Sequence, residues 1–541
     1  VTTVNDALQQ IQDLNKQILQ QKISGGDTGA LEDQLQSAVT TVSKIVDVRT
    51  FSLSSGGVGL ATTSGVVLVD DFARKLVYQP QGTVSSSTQF SQITVNRINQ
   101  TTGEVAATGT PLDPAVASGS LRGWLDMRDQ ELPQLGEEVS ELSRQVVNQL
   151  NAVHNGNVAV PPPASETGRQ TGLTTSDLQG FTGTTTFYAF DANQQITQQV
   201  TVDFSALPAN ATINDVLNAV NTGLAGDGTL TLSNGVLTFA AGGAASGIAI
   251  QDGTPPSSRG GTGFSQYFGL NDLVQTSVNT ITGTGFTAAD PHGFTGQAIL
   301  KLIGPNNENA VTYTLDFDSP PLSTAGSTVG DILTTLNATS AMGKFVTFSL
   351  DGTGALIATP KAGYTDYNLD IGADDSNRAG TGVTFSSLFA IGAKARTDAS
   401  ANIQVVSGIT NDVSKLALAQ VDPTGSPAIT AGDNRGAMAL QALAQSAASF
   451  RSAGNIAALS TTLGGFASQI LANAGRSAAQ TQSNLDDSNA LQTELKTRVD
   501  SVSGVNLDEE LANMVVFQNA YNASARLITT AKDMFDTLLQ V

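Results

Sequence analysis

Two histidines, His154 and His292, are the side chains best suited to acid–base chemistry near neutral pH in this sequence. A Ser-His-Asp triad would have to use one of them. His154 ends a helical heptad pattern, so we expect an imidazolium whose charge complements the C-terminal end of a helix dipole. His292 lies between Pro291 and Gly293 and is at least as well explained as a turn residue. We therefore predict no catalytic residue and no enzyme.

Motifs for cofactors and metals are short and incomplete. Two Gly-x-Gly pairs lack the third glycine and the helix of a dinucleotide site, and two aspartate pairs lack the surrounding pattern of a Ca²⁺ loop. With 47 acidic residues in the chain, pairs that resemble the carboxylates of a glycosidase arise by chance. The absence of cysteine excludes disulfides and thiolate ligands. We predict no cofactor and no metal. The pairs considered are Gly261/Gly263, Gly283/Gly285, Asp374/Asp375 and Asp316/Asp318.

The composition indicates several globular domains with an acidic surface. The chain has 541 residues, 40% of them apolar, and a formal net charge of −21. Such a charge repels nucleic-acid phosphates and anionic lipid head groups. No apolar run reaches the roughly 18 residues that a transmembrane helix needs. We predict no nucleic acid partner and no membrane insertion. Because the sequence opens at Val1 inside a helical pattern, we also expect a segment upstream.

Apolar residues at spacings of three and four predict helices near both ends of the chain. Two opening helices separated by the glycine-rich stretch 24–29 are expected to run antiparallel. The pattern returns over 121–153, and from about Ser400 we predict helix to the end, with Asn506 as the N-cap of the last one. The predicted core of this helical rod is Ile11, Leu14, Ile18, Leu35, Val42, Leu121, Trp124, Leu125, Val139, Leu142, Val146, Leu459, Leu463 and Phe466.

The middle of the chain contains an internal repeat of domain length. Val202–Ser205 is echoed by Leu315–Asp318, and Arg259–Gly263 is echoed by Arg378–Gly382. Both copies read as strands, a short helix that begins near an aspartate, and strands joined by glycine-rich turns. Two related β-rich domains in tandem, inserted between helical segments, are therefore predicted.

The final helix has an apolar stripe along its whole length. Residues Asn506–Met514, Phe517–Tyr521 and Phe535–Leu539 resemble the C-terminal helix shared by flagellar rod, hook and hook-associated proteins. Residues Gly119–Asp129 and Asn151–His154 resemble segments of the hook-associated protein 1 family, the first junction between hook and filament. The resemblance covers residues 1–155 and about 400–541, without the N-terminal helix that would pair with the C-terminal one.

This resemblance implies a multidomain α+β fold, in which a heptad-patterned antiparallel helical bundle from both chain ends carries inserted β-rich domains. The expected divisions are a helical part at 1–155 with a small β-element at about 50–117, β-rich domains at 156–275 and 276–395, a second helical part at 396–504, and an assembly helix at 505–541. The implied assembly residues are Asn506, Leu507, Leu511, Met514, Phe517, Tyr521, Ala525, Ile528, Phe535 and Leu538.

The resemblance also implies the partners and the location. The expected partners are copies of the chain in an axial ring, hook protein below, a second junction protein above, and an export chaperone on the C-terminal tail. The protein would be secreted and extracellular, in the bacterial flagellum. Within the same class, the alternative is hook protein or another axial subunit. From other classes, an extracellular hydrolase or an adhesin is less well supported by a chain with two histidines and long terminal helices.

Overall fold

A computed structural model of the chain describes residues 1–541 except 81–89, 100, 282, 306–307, 393–394, 396, 399, 504–506 and 539–541. The chain forms two units, Val1–Ile470 and Leu471–Val541. Within the described ranges, every helix is too short or too polar to cross a lipid bilayer.

The first part of the larger unit is a helical pair packed on short strands. Asn5 and Asn15 of α1 bond through their side-chain amides to both backbone groups of Leu76 and Val58, at 2.8–3.0 Å, and so fix the strands to the helix. Two antiparallel three-stranded sheets, in the orders β1-β2-β3 and β4-β5-β6, complete this part. Its elements are α1 (Thr2–Ile23), α2 (Gly29–Ile45), β1 (Val48–Ser52), β2 (Val58–Thr62), β3 (Val67–Val69), β4 (Arg74–Val77), β5 (Thr94–Arg97) and β6 (Thr110–Pro111).

A long interrupted helix follows. α3 (Ser120–Asp126) leads through a π-helical turn (Met127–Glu131) into α4 (Leu132–Asn155). Pro133 lacks an N–H and its ring crowds the carbonyl four residues earlier, which accounts for a widened turn just before it. The heptad pattern predicted a helix here, and the structure adds the interruption.

The two β-rich segments have matching element orders and share one hydrophobic core. In each, the central hairpin is preceded by a short helix with the same capping box, Thr212 with Asp215 and Thr328 with Asp331. The first comprises β7 (Ser165–Gln170), β8 (Thr184–Phe190), β9 (Ile196–Asp203), α5 (Ile213–Gly223), β10 (Gly228–Ser233), β11 (Val236–Ala241), β12 (Gly247–Asp252) and α6 (Phe264–Phe268).

The second segment pairs its strands in a similar way, with one difference in sheet size. Its sheet β16-β15-β19 corresponds to β9-β8-β12, but β17 and β18 form a two-stranded sheet where the first segment has the three strands β10-β11-β7. Its elements, after the connecting strand β13 (Val274–Gln275), are β14 (Phe294–Thr295), β15 (Gln297–Ile303), β16 (Asn309–Asp316), α7 (Val329–Asn337), β17 (Val346–Leu350), β18 (Leu356–Pro360), β19 (Asn368–Asp374), β20 (Asn377–Arg378) and α8 (Phe385–Phe389).

The prediction of helix from about Ser400 to the end is wrong for most of residues 404–462, where the α-helices are Ser407–Asn411 and Arg435–Ala442. Leu459, which we predicted in the core of the helical rod, lies at the start of a strand, because Leu459–Thr462, with two β-branched threonines, pairs with Ala447–Phe450. The elements here are β21 (Gln404–Val405), α9 (Ser407–Asn411), α10 (Arg435–Ala442), β22 (Ala447–Phe450) and β23 (Leu459–Thr462).

Two long helices end the chain. α11 (Leu463–Ser503) has 41 residues and α12 (Leu507–Leu538) has 32, or about 60 and 48 Å at 1.5 Å per residue. The chain is thus a multidomain protein of mixed helix and strand, as predicted. The heptad bundle between its two ends stays a prediction.

Candidate assembly surfaces

The predicted assembly residues of α12 lie on an uncovered helix. In the unit Leu471–Val541, every described side chain except that of Asn473 is exposed. Leu511 and Met514 are about half exposed, at 48% and 50%, and Ala525 is exposed too. Asn506 lies outside the described residues, as do the side chains of Leu507 and Leu538. The most exposed members of the stripe are Phe517 (73%), Tyr521 (76%), Ile528 (71%) and Phe535 (69%).

Helix α4 is oriented with its polar face inward. Asn151 is 2% exposed, donates from Nδ2 to the Val274 carbonyl at 2.8 Å, and accepts from the Leu273 and Val274 N–H groups. Asn155 receives hydrogen bonds on Oδ1 from Ser265 Oγ and the Asn271 N–H. These side-chain amides form hydrogen bonds with buried backbone N–H and C=O groups at the end of the first β-rich segment, and polar residues are therefore favourable at these buried positions.

The same inward face also holds the returning part of the chain. Glu138 accepts a hydrogen bond from the Asn455 N–H at 3.0 Å, and Glu141 accepts one from the Arg451 N–H at 2.9 Å. Both glutamates are buried, and Arg144 forms an ion pair with Glu141. The inner surface of α4 is therefore a row of carboxylates and amides that binds two separate stretches of backbone, 271–274 and 451–455.

The first part of the apolar heptad of this helix consequently faces outward. Leu132 is 56% exposed, and Leu135 and Val139 are each 38% exposed. Trp124 on α3 is 72% exposed. Trp124 and Val139 are thus exposed in the single chain, and their place in the rod core stays a prediction. We call Trp124, Leu132, Leu135 and Val139 the outer stripe.

The other predicted core residues are mostly covered. Leu121, Leu142, Val146, Leu459 and Leu463 are half-buried. Phe466 stacks on Phe450 with ring centroids 4.0 Å apart. The buried members are Ile11, Leu14, Ile18, Leu35, Val42, Leu125 and Phe466.

His154 is a neutral structural residue. Its ring is fully buried, Nδ1 donates to the Asn271 carbonyl at 2.7 Å, and Nε2 accepts from the Ala417 N–H at 2.8 Å. Accepting from an N–H requires an unprotonated Nε2, and burial lowers the pKa of His154 below its usual 6.5. The expected imidazolium at the helix end is therefore wrong. The ring joins α4 to two distant loops.

His292 is buried in a comparable way. Nδ1 accepts from the Phe294 N–H at 2.9 Å, and Nε2 donates to the Leu322 carbonyl at 3.0 Å. Burial lowers the pKa of His292. With both ring nitrogens engaged by backbone, neither histidine is free for proton transfer. Among the described residues, no group of three or more His, Cys, Asp or Glu is placed to hold a metal ion.

Two arginines at equivalent positions of the repeat join the two β-rich segments. Arg259 donates to the carbonyls of Leu178 and Gln179 in its own segment and, through Nε, to that of Thr284 at 3.1 Å, in the stretch that leads into β14 of the second segment. Its guanidinium also lies 5.3 Å from the ring centroid of Phe286.

Arg378, in the second segment, contacts residues of the first segment. It donates to the Gly172 carbonyl and forms a bidentate pair with Asp177 at 2.8 and 2.9 Å, both in the first segment. Its guanidinium lies 4.5 Å from the centroid of Phe286, which thus contacts both arginines. Arg259 and Arg378 are 2% and 1% exposed. The two segments hold one another through reciprocal arginine contacts, which we call the arginine exchange.

Comparisons with known proteins show which families the two ends of the chain resemble. Residues 1–166 match the family model of the flagellar hook-associated protein FlgK helical domain, and residues 499–541 match that of the flagellar basal body rod FlgEFG protein C-terminal region. The predicted resemblance to flagellar hook-associated protein 1 is confirmed. The second match falls on the segment that contains the exposed stripe of α12.

Flagellar hook-associated protein 1 of Escherichia coli (strain K12) is 29% identical over 151 residues, which are 27% of this chain and 24% of that protein. The Salmonella typhimurium protein is 30% identical over 159 residues, 28% of this chain and 27% of that one. The aligned part of the chain thus spans about a quarter of these relatives. The solved flagellar hook junction protein FlgK from Burkholderia pseudomallei aligns with 93% of this chain and 84% of its own, at 15% identity and a TM-score of 0.32.

Sequence reasoning missed the asparagines of α4 and the arginine exchange. The repeated Arg-x-Gly-Thr-Gly motif was visible, and an arginine retained in both copies of an acidic chain was the available signal. Nothing local marks Asn151 or Asn155, because their partners lie more than 100 residues away along the chain.

Proposed function

We propose that this chain is a structural subunit of the bacterial flagellum at the junction between hook and filament, and not an enzyme. The observation that carries the proposal is the uncovered apolar stripe of α12, in a region similar to the C-terminal region of flagellar rod proteins. Copies of the chain would form an axial ring, with hook protein below and a second junction protein above. The protein would act outside the cell.

The mechanism is packing of helices between subunits. Burying one large apolar side chain contributes about 1.5–3 kcal/mol, and the stripe offers Leu511, Met514, Phe517, Tyr521, Ile528 and Phe535. The entropy of ordering flanking groups offsets part of this gain. The outer stripe on α3 and α4 supplies a second apolar helix face of the same kind. Coiled-coil contacts through these faces would join the copies, and an export chaperone would cover the tail before assembly.

A charge placed on the stripe tests this proposal. Tyr521→Asp should prevent attachment of filaments to hooks, because burying an unpaired carboxylate between helices costs a large free energy of desolvation. Asn519→Asp is the matched control, since residue 519 lies about 160° from residue 521 around the helix at roughly 100° per residue. Attachment is scored by electron microscopy of cells that carry only the variant, and secreted protein is measured to confirm export. Normally attached filaments with Tyr521→Asp would contradict the proposal.

Another axial position, such as that of hook protein, is the second candidate. The match of residues 499–541 to a rod-protein family model favours it, because that helix is common to several axial proteins. Expression in strains that lack either hook protein or the first junction protein separates the two. The junction proposal expects rescue of motility only in the second strain.

A further inference from the structure

Among the described residues, the outer edge of strand β18 has no strand paired with it. In the β17–β18 hairpin, the Lys361 N–H donates to the Phe345 carbonyl at 2.8 Å. Counting back from Lys361, the backbone N–H and C=O groups of every second residue therefore point toward β17, and those of the residues between them point away. Leu356 and Ala358 therefore direct their N–H and C=O groups away from β17. Within the part of the chain that the structure describes, no hydrogen bond reaches these outward groups.

The first β-rich segment identifies the equivalent edge. Asn221 of α5 bonds to both backbone groups of Leu230 on β10, at 3.0 and 2.7 Å. Asn337 of α7 bonds to both backbone groups of Phe348 on β17, at 2.8 Å each. The two hairpins are thus tied to their helices in the same way, and β11 corresponds to β18.

In the first segment this edge is covered. Phe239 of β11 is paired with Glu166 of β7, and the next outward group, the Ala241 N–H, donates to the Ala164 carbonyl at 2.8 Å. Ala358 is the counterpart of Phe239, because Ala358 is paired with Phe348 and Phe239 is paired with Leu230. Phe239 is fully buried, whereas Ala358 is exposed. Strand β7 shows what kind of structure fits this edge, namely an antiparallel extended segment.

In the second segment, the residues that correspond to β7 bind to helix α4. Thr280 precedes β15 along the chain as β7 precedes β8; its carbonyl accepts from Asn148 Nδ2 on α4 at 3.0 Å, and its hydroxyl donates to Asn148 Oδ1 at 2.8 Å. This stretch is therefore held on α4 and does not extend along β18. The edge of β18 is open because the stretch that corresponds to β7 is bound to α4 instead.

We propose that the outer edge of β18 accepts an extended segment of a second copy of this chain by antiparallel strand addition. This inference rests on the proposed function, which places copies side by side. The strand Leu356–Pro360 is uncharged and largely exposed, and an exposed sheet edge can accept an extended segment through main-chain hydrogen bonds. Exposed Lys344 and Lys361 both lie at the Pro360 end of this strand, and a second copy, with 47 acidic and 26 basic residues, has acidic segments that could meet them.

The geometry limits the length of the added strand. Pro360 has no N–H, so the available backbone groups are the N–H and C=O of Leu356 and Ala358 and the C=O of Pro360. The small side chain of Ala358 leaves space for a larger side chain from the incoming strand, as Phe239 fills the corresponding place in the first segment.

Ala358→Pro tests the proposal because it removes one outward N–H without removing a hydrogen bond of the β17–β18 ladder. Ala358→Val is the matched control, since it keeps the N–H and suits a strand. A photo-reactive residue replaces Ile357 in each background, in cells that assemble flagella, and adducts are mapped by mass spectrometry. We expect an adduct between two copies, unchanged with Ala358→Val and reduced at least about fivefold with Ala358→Pro.

Circular dichroism of each purified variant establishes that it folds, and a second proline variant, Leu356→Pro, repeats the test at the other outward N–H if Ala358→Pro does not fold. Equal adduct yields with proline and valine, an adduct only with a different protein, or no adduct would each overturn the inference. Filament attachment in the same cells separates the two proposals. Attached filaments without the adduct remove only the strand addition, whereas absence of the chain from the junction removes both.

Discussion

Replacing Arg378 should show how strongly the two β-rich segments depend on the arginine exchange. The Arg378 side chain is 2% exposed and that of Asp177 is 11% exposed, and two hydrogen bonds of 2.8 and 2.9 Å join them. Arg378→Met keeps the length of the side chain but leaves the Asp177 carboxylate buried without its cation. Breaking one partner of a buried pair costs about 3–5 kcal/mol. We expect a loss of this size in the free energy of unfolding.

The double variant Arg378→Met with Asp177→Asn separates the pair from simple packing. Removing both charges removes the unpaired carboxylate, so the double variant should recover about half of the loss or more. Asp177→Asn alone should be destabilising as well, because it leaves the guanidinium without a counter-charge. Denaturant unfolding followed by circular dichroism gives the free energies, and hydrogen exchange of residues 172–179 assigns the loss to this contact.

The pH dependence gives an independent check on the same pair. Burial alone would raise the pKa of Asp177, but the hydrogen bonds and charge of Arg378 outweigh it and hold that pKa below the usual 3.8. The contribution of the pair is therefore present above pH 3.8 and is lost as the pH falls through the folded-state pKa. Arg378→Met should flatten this part of the stability curve. A loss under about 1 kcal/mol at neutral pH, or an unchanged acid limb, would refute the reasoning.

His154→Ala should cost roughly 2–5 kcal/mol, because it leaves the Asn271 carbonyl and the Ala417 N–H buried without partners, and thermal unfolding measures this. Since the folded-state pKa of His154 lies below 6.5, the parent chain should lose stability as the pH falls below 6.5, and the variant should lose less; equal slopes would contradict the neutral ring. Burial raises the pKa of Glu166 to about 8. Protonated Glu166 therefore costs the folded chain no stability below pH 4.5, and the folded chain becomes progressively less stable as the pH rises from there through about 8. Glu166→Gln should therefore stabilise the chain by a few kcal/mol at pH 8.5 and by little at pH 4, as denaturant unfolding at the two values would show; an equal gain at both would exclude a titration effect.

Much of the element order could be predicted from the sequence. The opening helices have apolar residues on one face and a glycine-rich break, and the structure places them at Thr2–Ile23 and Gly29–Ile45. The internal repeat was visible because its turns require particular residues. Both copies begin a helix with a Thr-x-x-Asp capping box, a local signal that does not depend on distant contacts.

The orientation of α4 could not be predicted in this way. Its heptad correctly indicated a helix, but a periodic apolar face is expected to lie inward, and here buried Asn151, His154 and Asn155 face the protein instead. Their burial is favourable only because backbone groups from remote stretches meet them, and a single sequence does not show those partners. The strand at Leu459–Thr462 was missed for a related reason, since its pairing partner precedes it across an irregular turn.

Hydrogen exchange of the α12 backbone in the free chain and in assembled flagella tests the central claim most directly, which is that sister subunits cover the apolar stripe. We expect amides of residues 509–536 to exchange quickly in the free chain, because every described side chain of α12 is exposed, and to become protected by at least about 100-fold on assembly. Strong protection of these amides in the isolated chain, unchanged on assembly, would contradict the account.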